Sequence, residues 1–200
     1  MKKVLGHDSW DSLYSERKLK RMPWFYPRLD PDLDDALKKL GIKRGRFLDV
    51  GTGPGTQAIR LSEMGFDVTG TDISESAIRK ARSLEGSREV TFVVDDMLDS
   101  RLAGGSFEYA LDRGVLHVIE PVRRDVYVES VRHVMAENGL LFLKCFSSEE
   151  PGEKGPHKFS ADDIRSLFSG GFEILSIKDT VYHGIRQPFP RALFCVMKKK

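Results

Sequence analysis

The chain has 200 residues, of which 32 are Lys or Arg and 30 are Asp or Glu, giving a formal net charge of +2. Because 40% of the residues are hydrophobic and 31% are charged, the composition is typical of one globular domain and excludes a disordered chain. The charge provides no broad basic field, so we expect no nucleic-acid partner, and apolar runs such as residues 140–143 are too short to span a membrane. The cysteines, Cys145 and Cys195, are too few for a disulfide framework, and no apolar leader follows Lys2 and Lys3, so we expect a cytoplasmic protein.

Residues 1–40 are predicted to form an aromatic cap and a first helix. We expect Trp10, Tyr14 and Trp24 either to form a lid over a bound ligand or to pack the first helix onto a sheet. The basic run at residues 17–21 is expected to be solvated. The helix is predicted from Pro31 at its start and from the helical spacing of Leu33, Leu37 and Leu40, with Gly41 at its end.

Residues 41–200 alternate between strand and helix patterns and complete a single domain. Apolar runs predict seven strands, at residues 46–50, 67–71, 90–94, 107–111, 140–146, 172–181 and 192–197. Four further helices are predicted. The first runs from the residue after Gly55 to Met64, the second begins at Ser74, and the fourth begins at Ser160. The third begins at Pro121 and ends near Asn138, and its apolar face consists of Val122, Val126, Val131 and Val134. Five strand–helix steps and a terminal hairpin predict an α/β, three-layer sandwich around a doubly wound, mostly parallel sheet with one antiparallel strand.

Ligands bind such Rossmann-like sheets outside the carboxyl ends of the strands, so the turn after the first strand is a candidate site. It reads Asp49-Val50-Gly51-Thr52-Gly53-Pro54-Gly55. Glycines allow a sharp turn and a close approach of a ligand to the backbone, and the helix that follows offers free N–H donors. The alternative for such a loop is a tight turn without a ligand.

Acidic residues follow the second and third strands. Asp72 is placed to hold a ribose diol, and Asp95 and Asp96 are placed to accept a hydrogen bond from an exocyclic amine. Together with the glycine turn, these acids predict an adenosine pocket.

Two features of the turn favour S-adenosylmethionine (SAM) over a dinucleotide. Thr56 occupies the third glycine position of the dinucleotide fingerprint, and Asp49 precedes the first glycine. A carboxylate there would not help to bind a pyrophosphate, whereas it would favour a ligand with a cationic amino group. An NAD-dependent oxidoreductase is kept as the alternative.

The pattern Asp49-x-Gly51-x-Gly53-x-Gly55, with Asp72 and Asp96, resembles the class I SAM-dependent methyltransferases over about residues 40–200. The resemblance implies the strand order 3-2-1-4-5-7-6. It also implies that the glycine loop wraps the methionine part, that Asp72 holds the ribose and that Asp96 meets the adenine amine. Met97 would flank the adenine ring, and the predicted cofactor-binding set is completed by Ile73, Asp112 and Trp24.

The segment after the fourth strand, Asp112-Arg113-Gly114-Val115-Leu116-His117, faces the transferred methyl group in that family. His117 is a candidate base, Asp112 could orient the substrate or the methionine ammonium, and Arg113 could attract an anionic substrate. The alternatives are structural: a loop-capping histidine, a salt-bridged aspartate and an internally paired arginine. The Asn/Asp-Pro-Pro-aromatic motif of enzymes that methylate nucleic-acid amino groups does not occur here.

The sequence therefore predicts a SAM-dependent methyltransferase that acts on a small molecule. The aromatic N-terminus and Asp112-Arg113-Gly114 are similar to the thiopurine and tellurite-resistance methyltransferases, which favours a soft nucleophile such as a thiol or a selenium or tellurium species. A SAM-binding protein without catalytic activity, acting as a regulatory or interaction module, is a second alternative. The sequence gives no oligomeric state. Cys145 is expected to be a small buried hydrophobic residue.

Overall fold

The computed structural model describes residues 7–16, 18, 21–153 and 155–200. The strands are β1 (Arg46–Val50), β2 (Asp67–Asp72), β3 (Val90–Val94), β4 (Phe107–Arg113), β5 (Met135–Phe146), β6 (Phe172–Val181) and β7 (Arg191–Lys199). The α-helices are α1 (His7–Glu16), α2 (Pro31–Lys39), α3 (Thr56–Glu63), α4 (Glu75–Arg82), α5 (Arg124–Val134) and α6 (Ala161–Phe168). Most of the basic run at residues 17–21 lies outside the described residues.

The seven strands form one sheet in the order β3-β2-β1-β4-β5-β7-β6. The pairs from β3 to β5 are parallel, and β7 runs antiparallel to both β5 and β6. The predicted fold class and strand order are therefore confirmed. No helix in the described part of the chain is long and apolar enough to cross a membrane.

Both faces of the sheet are buried, as a doubly wound sheet requires. On β1, Phe47 packs into a cluster with α2 and α3, whereas its neighbour Leu48 packs into a second cluster with α5 and α6. Alternation along a strand sends successive side chains to opposite faces, and β1, β4, β5 and β7 each contribute side chains to both clusters. Cys145 and Cys195 are buried, as predicted for Cys145.

Local capping explains where the helices begin. Asp30 Oδ1 accepts from the Asp32 N–H at the start of α2, where Pro31 occupies the first turn. Ser74 caps α4, and a reciprocal capping box of Ser160 and Asp163 begins α6. Two predicted apolar positions at the helix ends, Leu40 and Met64, are exposed because they follow the last helical residue.

The helix predicted from Pro121 to Asn138 is wrong at both ends. A single 3-10 turn (Pro121–Arg123) precedes α5, which ends at Val134. Val122 is 86% exposed and Val126 is 48% exposed, because the buried face of α5 is instead formed by Tyr127, Val128, Val131 and Val134. Strand β5 begins early, at Met135, and an irregularity with Asn138 at φ 62° precedes its regular pairing with β4.

Candidate active site

A cavity of about 1070 Å³ lies at the carboxyl ends of β1 to β4. Its walls are the residues that follow these strands, the N-terminal segment with Trp10, Tyr14 and Trp24, and the loop after β5. This is the position at which a parallel sheet binds its ligands. The sequence-predicted residues that it brings to the wall are Gly51, Asp72, Ile73, Asp96, Met97, Trp24, Arg113 and His117.

The glycine turn is left-handed at three positions: φ is 61° at Gly51, 52° at Gly53 and 77° at Gly55. These values disfavour any residue with a Cβ. A Cβ on Gly53 would also lie 2.6 Å from the Tyr14 hydroxyl oxygen, so this glycine lets α1 close on the loop. Gly51 forms part of the cavity wall, whereas Gly53 and Gly55 shape the turn behind it.

Asp49 lies below the glycine turn, and the cavity wall does not include it. Its Oδ2 accepts from Thr52 Oγ1 at 2.6 Å, within the loop itself. Burial raises the pKa of Asp49 to about 7. The structure therefore gives this carboxylate a role in holding the turn, in place of the predicted direct contact with a cationic amino group.

Asp72 stands at the end of β2 on the cavity wall. Its Oδ2 accepts from the Gly53 N–H at 2.9 Å, and its Oδ1 accepts from the Ser74 N–H at 2.9 Å. Burial raises the pKa of Asp72 to about 6. Each carboxylate oxygen retains a lone pair for a further donor.

Asp95, Asp96 and Met97 line the cavity next to Asp72. Asp96 Oδ1 accepts from the Leu98 N–H at 2.9 Å, and Asp95 Oδ1 accepts from the Arg101 N–H at 2.9 Å. Asp95 Oδ2 is buried and has no hydrogen-bond partner among the described residues. Both acids thus have free acceptor capacity.

Asp112 is fully buried, and the wall of the cavity does not include it. Its carboxylate accepts from the N–H groups of Gly114, Val115 and Leu116 and from the Tyr127 hydroxyl, at 2.6 to 2.9 Å. Burial raises the pKa of Asp112. These four donors make Asp112 the anchor of the turn after β4. This placement corrects its predicted contact with substrate or methionine ammonium, and its partners are backbone and hydroxyl groups rather than the loop cations considered as the alternative.

Arg113 lies on the wall, but its guanidinium is engaged within the protein. Nε donates to Asp30 Oδ2 at 2.8 Å, Nη1 donates to the Trp24 carbonyl at 3.2 Å, and Nη2 donates to the His183 carbonyl. The guanidinium carbon also lies 4.7 Å from the centroid of the Tyr182 ring. The structure therefore matches the alternative of an internally paired arginine.

His117 is buried on the cavity wall within an aromatic cluster that it forms with Phe146 and Tyr182. Its ring stacks on Phe146 at 4.8 Å with an interplanar angle of 6°. Burial, together with the charge of Arg113, lowers the pKa of His117 to about 3. The imidazole is therefore neutral at physiological pH and a weak base.

This chain is similar in sequence to proteins of one family. A family model described as a methyltransferase domain matches residues 47–139. An uncharacterized methyltransferase of Schizosaccharomyces pombe is 33% identical over 113 residues, which are 56% of this chain and 78% of that protein. The chain belongs to the class I SAM-dependent methyltransferases. Its cofactor is SAM, and the alternatives of an NAD-dependent oxidoreductase and of a non-catalytic SAM-binding protein are thereby set aside.

Two further similarities extend over most of this methyltransferase. Thiocyanate methyltransferase 1 of Brassica oleracea is 27% identical over 165 residues, covering 80% of this chain and 73% of that protein. A solved structure from work on the conversion of a disulfide bond into a thioacetal group during echinomycin biosynthesis is 25% identical. It has a TM-score of 0.84 and covers 97% of this chain and 93% of its own.

The cavity of the methyltransferase has features that suit SAM. Acidic side chains line one end, which suits the donors of a ribose and an amine, and the rings of Trp10, Tyr14 and Trp24 lie together on the wall, 5.8 to 6.4 Å apart. Aromatic faces attract a cation such as a sulfonium. The volume is at the upper end of the range for small-molecule sites, which leaves room for an acceptor.

Four residues of the methyltransferase site escaped sequence reasoning. Asp11 binds the start of α4, Asp30 pairs with Arg113, and Phe146 and Tyr182 surround His117. The capping signal of Asp30 before Pro31 was readable, but its partners are distant in sequence. Asp11, Phe146 and Tyr182 lie in segments without a motif, so only the fold brings Phe146 and Tyr182 to the cavity wall and Asp11 to the start of α4.

Proposed function

We propose that this methyltransferase transfers the methyl group of SAM to a small soft nucleophile, a thiol or a selenium or tellurium species. The observation that carries the proposal is the placement of His117, the candidate base on the cavity wall, whose ring is buried and stacked on Phe146 at 4.8 Å. Its low pKa of about 3 suits a reaction in which no strong base takes a proton from the acceptor.

The carboxylates around the cavity support the same conclusion. Asp72, Asp95 and Asp96 belong to the end of the wall formed by β2 and β3, and Asp112 is saturated by four donors. Glu120 and Glu153 are exposed at the rim, and Glu150 accepts from the Arg191 N–H. Beside His117 on the described wall, the buried hydroxyl of Tyr182 donates to the Arg113 carbonyl, and burial raises the pKa of Tyr182 away from neutrality, so it does not suit deprotonation of a hydroxyl or an ammonium.

Cofactor binding is assigned to the residues after the first three strands. The Gly51 turn would take the methionine part, Asp72 the ribose hydroxyls and Asp96 the adenine amine, with Met97 and Ile73 beside the adenine ring. Trp24 would face the sulfonium. The free acceptor sites on Asp72 and Asp96 support these roles, and Asp95 is the rival for the amine because its Oδ2 has no partner within the described residues.

SAM supplies a methyl group on a sulfonium that leaves as a neutral thioether. A lone pair on the acceptor forms the new bond to the methyl carbon as the sulfonium–carbon bond breaks. The electron pair of the broken bond stays on the sulfur, which becomes neutral. A thiol loses its proton to solvent before the step, so the protein needs chiefly to align the reactants and exclude water. The aromatic cluster of His117, Phe146 and Tyr182 provides a dry surface for a polarizable acceptor.

Two relatives support a sulfur acceptor. One is a thiocyanate methyltransferase, and the other was solved in work on a disulfide that becomes a thioacetal. Both cover most of this chain, 80% and 97% respectively. We therefore rank sulfur above selenium and tellurium, and all three above oxygen and nitrogen.

An acceptor panel tests the proposal. The purified protein is incubated with SAM and with thiophenol, hydrogen sulfide, thiocyanate, selenite, tellurite, a catechol or a primary amine, and the formation of S-adenosylhomocysteine is measured. We expect turnover with one or more of the sulfur, selenium or tellurium compounds and only background with the catechol and the amine. Asp72→Asn serves as the control with impaired cofactor binding. Faster turnover of the catechol or the amine would overturn the assignment of a soft acceptor.

A further inference from the structure

We propose that Asp11 is a positioning residue for the cofactor: its carboxylate clasps the turn between β2 and α4 and so fixes both Asp72 and α1 at the cavity. The inference rests on the proposed role of Asp72 in holding the ribose. It concerns a side chain outside the glycine loop and outside the segment after β4.

Asp11 makes three hydrogen bonds across a separation of more than sixty residues in sequence. Oδ1 accepts from Ser74 Oγ at 2.8 Å and from the Ser76 N–H at 2.7 Å, and Oδ2 accepts from Ser76 Oγ at 3.0 Å. The Ser76 N–H is one of the amide groups that the first turn of a helix leaves unpaired. Hydrogen bonds from Ser76 and Ser74 lower the pKa of Asp11, so the clasp is charged at neutral pH.

Ser74 connects this clasp to Asp72. The Ser74 N–H donates to Asp72 Oδ1 at 2.9 Å, and Ser74 Oγ accepts from the Ala77 N–H at 3.0 Å while donating to Asp11. One side chain therefore fixes the residue that orients the Asp72 carboxylate. Releasing Asp11 frees the Ser74 hydroxyl and loosens that orientation.

The same clasp holds α1 against the cavity. Trp10 and Tyr14, one residue before and three residues after Asp11, lie on the wall, and the Trp24 indole N–H donates to the Tyr14 hydroxyl at 3.2 Å. Tyr14 also closes on Gly53, where a Cβ would lie 2.6 Å from its hydroxyl oxygen. By binding the start of α4, Asp11 therefore holds in place the part of the cavity wall that α1 forms.

Intrinsic fluorescence provides a direct readout, because the two tryptophans of the chain, Trp10 and Trp24, both line the cavity. Wild type, Asp11→Ala, Asp11→Asn and Glu16→Gln are titrated with S-adenosylhomocysteine. We expect Asp11→Ala to raise the Kd about tenfold, a change typical of losing charged hydrogen bonds. Asp11→Asn should have a smaller effect because its amide oxygen still accepts, and Glu16→Gln, an exposed change on the same helix, should have none.

Steady-state kinetics separate positioning from a general loss of structure. With a turned-over acceptor, Asp11→Ala should raise the KM for SAM while kcat and the KM for the acceptor stay within about twofold of wild type. If Asp11→Ala does not fold, Asp11→Asn and Ser76→Ala provide the same comparison. An unchanged Kd in folded Asp11 variants, or an equal rise in Glu16→Gln, would refute the role of Asp11. Asp72→Asn distinguishes the two levels: if its Kd is also unchanged, the proposed ribose site itself fails.

Discussion

Lys144 and Asp30, 114 residues apart in sequence, form an ion pair that is closed to solvent, with Lys144 Nζ 2.6 Å from Asp30 Oδ1 and exposed fractions of 0% and 1%. Burial alone would raise the pKa of Asp30, but the charges of Lys144 and Arg113 lower it below its usual value. Lys144 also pairs with Asp32 at 2.8 Å. This network joins the start of α2 to β5 and, through Arg113, to the wall of the cavity.

Asp30→Asn should strongly destabilise the protein. The substitution leaves Lys144 and Arg113 buried with one negative charge fewer, and breaking a buried pair by removing one partner costs about 3–5 kcal/mol. Equilibrium unfolding in urea at pH 7 measures the loss. The matched control is Asp34→Asn, which removes the exposed pair between Asp34 and Lys38 on the same helix and should leave the midpoint almost unchanged. Equal unfolding midpoints for the two variants would show that the buried ion pairs stabilise the protein no more than the exposed pair does.

Gly53→Ala should weaken cofactor binding more than it weakens folding. Its φ of 52° is strained for alanine, and the new Cβ would lie 2.6 Å from the Tyr14 hydroxyl oxygen, which pushes α1 away from the loop. Gly41→Ala separates these effects, since Gly41 has a φ of 67° and its new methyl group would meet no described residue beyond its chain neighbours within 4 Å. Calorimetric titration with S-adenosylhomocysteine should show a loss of affinity for Gly53→Ala alone. Comparable affinities in both variants would argue against contact between Tyr14 and the loop as a determinant of binding.

Cofactor affinity should depend on pH through Asp72. Burial raises the pKa of Asp72 to about 6, and only its carboxylate form offers both oxygens as acceptors to ribose hydroxyls. Affinity is therefore complete above this pKa and declines as the pH falls through it, approaching about tenfold per pH unit. Titrations with S-adenosylhomocysteine between pH 7.5 and pH 5 measure the decline. The variant Asp72→Asn should bind about 1–3 kcal/mol more weakly than wild type, and its affinity should not decline over this pH range. Persistence of the same decline in Asp72→Asn would assign the effect to another group.

The strands and the cofactor motif could be predicted from sequence because their signals are local. β1 and β3 have the predicted bounds, and Asp72 lies at the end of β2 on the cavity wall. Apolar periodicity and capping residues act within a few positions, so one segment contains enough information. Helix α5 shows the limit: its valines suit several helical phases, and the observed phase buries Tyr127, whose hydroxyl donates to Asp112 near the end of β4.

The roles of individual polar residues were harder to predict because they depend on distant partners. Asp112 and Arg113 stand where the pattern indicated, but whether a carboxylate faces the substrate or caps a turn depends on the N–H groups around it. Arg113 pairs with Asp30 and with His183, which come from opposite ends of the chain. Such pairs have no spacing signal, and the same limit applies to Asp11.

His117→Phe tests two expectations: that burial of His117 makes the free energy of unfolding depend on pH, and that His117 is not a general base. The folded pKa of about 3 lies below the ordinary value of 6.5, so below pH 6.5 the unfolded chain binds a proton that the folded chain does not. Wild type should therefore lose about 1.6 kcal/mol from this residue between pH 6.5 and pH 5, a loss that phenylalanine removes while it can still stack on Phe146. Urea unfolding at both pH values measures the difference. At pH 8, kcat with a thiol should fall less than about tenfold, whereas removal of a general base costs about 10²–10⁴-fold; a loss in that range would make His117 the base and overturn the proposed base-free transfer.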